Sequence, residues 1–260
     1  MVPINAQRTR CAKNHDNLGW EAGASYIWHG LDMGFRTNDG AMLDRLKSLI
    51  PPHATPSDQQ AVRLLVSLRV GKPSKQKGVK NYHLVYHAWD RVVRTLDLEE
   101  ALATFEETLR TKAATYAASS IFLAGSLYQN GSEGVIFCGS TELRSGPQLE
   151  ARLSQGGLNK LTDRYVGLTE SGMAFPYENP LLTPVPGKAL YLLDAEAQGV
   201  SRLTPGEAVV ALIAQGSLPG YDYETDRALK SLAALCEVTP SYRVASIEEA
   251  EKLIQEHVPA

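Results

Sequence analysis

The chain has 260 residues, 43% of them hydrophobic and 21% charged, enough apolar material for one large domain or for a core domain with a smaller module beside it. A formal net charge of −3 and a pI of about 6.1 offer no general electrostatic reason to bind nucleic acid or an anionic membrane, whose binders carry a concentrated basic excess. No apolar run approaches the roughly 18 to 20 residues needed to span a bilayer, and Cys11, Cys138 and Cys236 are too scattered for a disulfide framework, so a reducing cytoplasm is the expected setting.

Residues 1–20, MVPINAQRTRCAKNHDNLGW, are polar, aperiodic and mixed in charge, and read as an N-terminal arm. Residues 21–92 read as a small α/β module. It holds strands near 24–28 and 31–36, then a helix in NDGAMLDRLKSLIPPH, where Met42, Leu43, Leu46 and Ile50 recur at helical spacing and Pro51-Pro52 stop it. A third strand, AVRLLVSLRV, ends at Gly71. The loop GKPSKQKGVK carries Lys72, Lys75, Lys77 and Lys80; it reads as a patch for phosphate or an acidic partner or, more simply, as a solvated hairpin loop. In NYHLVYHAWD, His83 and His87 share one face of a strand, but a zinc site there lacks two ligands, so a half-exposed strand is expected and no metal.

Residues 93–260 read as the main core. The segment DLEEALATFEETLRTKAATYAAS predicts the longest helix, with Asp97 as N-cap, Glu100 three residues on, and Leu98, Leu102, Phe105 and Leu109 on one stripe. Two buried strands, SSIFLAG and EGVIFCG, flank an Asn130-Gly131 turn and form a hairpin. Strand-like runs follow in LTDRYVGL, broken by the turn signal Glu170-Ser171-Gly172, and then in KALYLLDA. Helices are predicted at TPGEAVVALIAQG, at 222–236 and at ASIEEAEKLIQEH, with capping boxes Thr204/Glu207 and Ser246/Glu249, and SYRVA is a strand between the last two.

The stretch CGSTELRSGPQLEARL lies between the hydrophobic run Gly134-Val135-Ile136-Phe137 and a helix, where a phosphate-binding loop would sit, yet it contains no lysine and no G-K-[ST] ending. Cys138, with no histidine nearby in sequence, reads as a buried strand-end thiol and not as a nucleophile.

From about Gly34 onward the chain resembles the HPr kinase/phosphorylase-related proteins, a bacterial group with a P-loop core similar to that of phosphoenolpyruvate carboxykinases. The matching landmarks are GFRTNDGAMLDRLKSLIPP, RTLDLEEAL, IFLAGSLYQNGSEGVIFCGS, LTDRYVGLTESGMAFPYENPL and RLTPGEAVVALI, in that order. The resemblance implies an α/β fold with that core behind a small N-terminal α/β module. It also implies a Walker A loop, whose amides cradle phosphates, whose lysine neutralises them and whose hydroxyl holds Mg²⁺.

The departures fall on the chemistry. Ala124 stands where active members carry a histidine, and the loop is one residue longer than the family's. Glu142 places a negative charge inside the cradle, and Pro147 removes an N–H at the helix start. Arg144-Ser145 imitates Lys-Ser only in part, because a guanidinium is a fork and not a point charge. Thr162-Asp163-Arg164 keeps one acid where the family has two. Asp163 reads as a general base or metal ligand if the protein is active, and otherwise as a turn acid paired with Arg164 or Lys160.

A catalytically degenerate relative that acts by binding, as an accessory or regulatory subunit, is therefore the expected function, with no cofactor. The alternatives are an active kinase for serine in a peptide or for a small molecule, using ATP and Mg²⁺ at a rebuilt site, and an anion or small-ligand binding protein. The expected ligand-binding residues are Gly139, Ser140, Arg144, Ser145 and Gly146. The expected partner is a protein, with self-association allowed, and neither nucleic acid nor a membrane span is expected.

Overall fold

The structure, a computed structural model, describes residues 16–51, 53–59, 61–72, 80–139, 147–179, 181–219 and 225–257. Most of the expected arm, Lys75 and Lys77 of the basic loop, and Ser140, Glu142, Arg144, Ser145 and Gly146 lie outside the described residues. The chain divides into two compact units, 1–119 and 120–260.

The first unit is built on a six-stranded mixed sheet in the order β3-β1-β2-β4-β5-β6. Its strands are β1 (Ala22–Trp28), β2 (Leu31–Thr37), β3 (Thr55–Ser57), β4 (Leu64–Arg69), β5 (His83–His87) and β6 (Asp90–Thr95). A two-residue turn, His29-Gly30, joins β1 to β2; both residues have positive φ, 47° and 70°, as the twist of a tight hairpin demands. The predicted helix over 42–50 shrinks to a 3-10 turn at Gly40–Met42 and α1 (Leu43–Lys47), in which only Leu46 is buried. One buried side chain holds little more than a turn of helix against the sheet.

The long predicted helix is α2 (Leu98–Tyr116). Asp97 caps it, accepting from Glu99 N at 2.8 Å, but Glu100 does not close a capping box: its carboxylate accepts from the Thr95 hydroxyl instead. The apolar stripe of α2 packs on β4, β5 and β6, with Phe105 edge-on to Phe35 at 6.1 Å between ring centroids. The unit boundary thus follows α2, whereas the sequence reading divides the chain at residue 93; the partner of an amphipathic stripe is set by tertiary packing and not by its own spacing.

The second unit holds an eight-stranded mixed sheet in the order β11-β10-β7-β8-β12-β14-β13, with β9 also paired to β7. Its strands are β7 (Ile121–Asn130), β8 (Glu133–Cys138), β9 (Asn159–Thr162), β10 (Tyr165–Leu168), β11 (Ala174–Pro176), β12 (Gly187–Leu193), β13 (Ser201–Leu203) and β14 (Ser241–Val244). The helices are α3 (Pro147–Gln155), α4 (Pro205–Ala214), α5 (Thr225–Val238) and α6 (Ile247–His257). Strands β8, β12 and β14 run parallel, and β8 and β12 are buried and apolar along most of their length because both faces are covered. Ile136, Leu190 and Leu192 pack with Leu212, Leu232 and other residues of α4 and α5. Phe137, Tyr191 and Val244 pack on the opposite face with Leu153 of α3 and Ala250 of α6.

Across that second face runs an aromatic series over four adjacent strands: Tyr128, Phe137, Tyr191 and Tyr242, with successive ring centroids 5.6, 5.3 and 5.6 Å apart. The mixed α/β class expected from the sequence is what the chain adopts. The Thr204/Glu207 capping box forms in full; Ser246 also caps its helix, but Glu249 accepts from Ala245 N, one residue further back than a box requires. Among the described residues no helix is long and apolar enough to cross a membrane.

Candidate functional site

In open sheets with parallel strands, ligands bind beyond the strands' carboxyl ends. In the second unit those ends are Cys138 of β8, Leu193 of β12 and Val244 of β14. Gly139 leaves β8 with φ of 136°, and a Cβ there would lie 2.6 Å from the Leu193 carbonyl oxygen. Only glycine permits both the backbone conformation and the close approach. Among the described residues, strand β8 is the last element before α3, which opens at Pro147, a residue with no N–H to offer an anion. Of the five expected ligand-binding residues, Gly139 is described, and Ser140, Arg144, Ser145 and Gly146 are outside the described residues. Cys138 is fully buried in the core under α4 and α5.

Asp163 occupies the turn between β9 and β10. Its carbonyl accepts from the Ser126 hydroxyl at 3.2 Å, and the next carbonyl, of Arg164, accepts from Gly125 N at 2.9 Å. Ser126 and Gly125 pair with Phe137 and Cys138, so the Asp163 backbone is level with the end of β8, one strand away across β7. Ala124, which the sequence reading compared with a histidine of the family it resembles, pairs with Tyr165 and donates its N–H to the Ser217 carbonyl at 2.6 Å.

The Asp163 carboxylate lies 3.9 Å from Lys160 Nζ, and the same ammonium is 2.7 Å from the carboxylate of Glu150 in the first turn of α3. Lys160 thereby ties the β9–β10 turn to the start of the helix that follows the loop. The Glu150 hydrogen bond holds the Lys160 pKa above its ordinary value against a smaller opposing effect of burial, with Asp163 and Glu178 adding attraction. Tyr128 is buried behind this cluster. Burial, reinforced by the charges of Glu150 and Asp163, pushes its hydroxyl up to about 12, so it stays protonated at any physiological pH.

The arrangement is a partly compensated acid cluster, two carboxylates sharing one ammonium, where a phosphate cradle would present a net positive charge. Asp163 sits in the β9–β10 turn, and Lys160 is one of the two partners that the sequence reading named for it as a turn acid. Glu150 was not anticipated. Its pairing arises because β9 returns beside α3. Among the described residues no group of three or more His, Cys, Asp or Glu side chains is placed to hold a metal ion. No protein-family signature matches this chain, and no curated protein matches it.

Proposed function

We propose that the protein is a catalytically degenerate relative of the HPr kinase-like P-loop proteins and acts by binding, as an accessory or regulatory subunit of a protein complex. The observation that carries this reading is Lys160, which engages Asp163 and Glu150 together at the start of α3. Asp163 is the one acid retained from the family set, and its charge is already answered by an ammonium. Pro147 and Glu150 in the first turn of the helix, with Glu142 and no lysine in the preceding loop, speak against a magnesium nucleotide at this place.

Calorimetry with ATP and Mg²⁺ tests the reading: no saturable heat is expected. Micromolar binding that Arg144→Ala abolishes would overturn it in favour of a rebuilt kinase site. A second reading, an anion site at the old loop, draws on the glycine turn at Gly139 and the helix that follows it. Thermal-shift measurements with phosphate, sulfate and carboxylates separate that reading from pure protein binding.

A further inference from the structure

The net charge of −3 conceals a division. Residues 1–119 contain 16 lysines and arginines against 12 aspartates and glutamates, whereas residues 120–260 contain 10 against 17. The first unit is thus positive, by four charges, in a chain that is negative overall, and strand register shows where part of the excess is displayed.

Paired residues in adjacent strands point to the same face of a sheet. One cross-strand row of the first sheet runs Gly23, Arg36, Ser67, Tyr86, Arg91 over β1, β2, β4, β5 and β6. The row two residues along β4 runs Arg69, Leu84, Arg94. Helix α2 lies on the other face, where Phe35 and His87 meet Phe105 and Tyr116. Four guanidiniums therefore belong to two neighbouring rows, spread over three strand spacings, about 14 Å, and none of the residues in those rows is acidic.

We infer that this face of the six-stranded sheet, bearing Arg36, Arg69, Arg91 and Arg94, is the docking surface for an acidic segment of a partner protein. Arg36 shows the contact that the face makes with a carboxylate: it takes Asp16 at 3.0 Å, bonds Ser67 and carries the Trp20 ring at 4.7 Å from its guanidinium carbon. Beside Arg36 lies a cleft of about 460 Å³ floored by Gly23 and Gly34 and walled by Gln59 and Val62, room for side chains of an incoming segment. Arg69 Nε is buried and has no hydrogen-bond partner among the described residues, an unsatisfied donor on the same face. Arg91 and Arg94 are exposed.

A protein segment fits better than nucleic acid. Single-stranded nucleic acid needs bare aromatic rings for its bases, and the Tyr82 ring is already covered by Arg94, whose guanidinium carbon is 3.8 Å from the ring centroid. The inference stands on the first unit alone, so the ATP experiment on the second unit neither supports nor harms it.

The test is fluorescence anisotropy of the whole chain with a labelled oligoglutamate peptide, alongside a labelled oligo(dT) of similar length. The peptide is expected to bind, to weaken as sodium chloride rises, and to bind at least about tenfold more weakly to Arg91→Glu/Arg94→Glu. The same charge change on α1, Arg45→Glu/Lys47→Glu, is expected to leave binding unaltered. The salt titration of the unsubstituted chain needs no variant and keeps the test valid if the substituted chain folds poorly. Absence of peptide binding, tighter binding of oligo(dT), or self-association in light scattering that Arg91→Glu/Arg94→Glu removes would each overturn the inference.

Discussion

The Lys160 ammonium lies 2.7 Å from the Glu150 carboxylate, joining the strand after the helix to the first turn of the helix itself. With side chains 31% and 48% exposed, the pair is largely wet, so its energetic contribution is small even though its geometric role is clear. A double-mutant cycle with Lys160→Met and Glu150→Gln is expected to give a coupling of about 0.5 kcal/mol in chemical denaturation. A coupling indistinguishable from zero would mean that the bridge does not hold the β9–β10 turn to α3.

Gly139→Ala is expected to destabilise the second unit by about 1–3 kcal/mol, because a side chain there meets the Leu193 carbonyl at 2.6 Å in a backbone conformation that L-residues avoid. Thermal unfolding followed by circular dichroism measures it. An unchanged melting temperature would show that β8 does not leave the sheet against β12 as described.

His29 makes stability dependent on pH. Burial lowers its pKa from the ordinary value of about 6.5 to about 4, so the folded chain resists a proton that the unfolded chain accepts. The unfolded state therefore binds more protons in this window, and stability falls as pH drops from about 6.5 towards 4, by up to about 3 kcal/mol. Above the unfolded pKa the imidazole is neutral in both states and the effect is absent. His29→Asn keeps a residue tolerant of the positive φ of 47° and is expected to flatten the slope between pH 6.5 and 4; an unaltered slope would assign it to other groups.

Much of the chain's local structure is readable from its residues. The short apolar run Gly134-Val135-Ile136-Phe137-Cys138, the Thr204/Glu207 box and the Asp97 cap depend on neighbours a few positions away, and the structure contains all three. The short strands β3 and β13 were not foreseen; three residues such as Thr55-Pro56-Ser57 are too few to show a period, and they become strands by pairing with β1. At the candidate site, Gly139 and Asp163 were named through the family resemblance, whereas nothing in the sequence singled out Glu150.

Periodicity, caps and turn residues placed the elements, because these signals rest on hydrogen bonds and side-chain spacing within one or two turns of chain. Pairing between distant segments was settled only when the chain closed on itself. Helix α2 found its sheet in the first unit, Lys160 reached a carboxylate ten residues back, and arginines from β2, β4 and β6 came to share one face. Strand register and layer packing decide such meetings, and they are properties of the closed fold that no short window of residues contains.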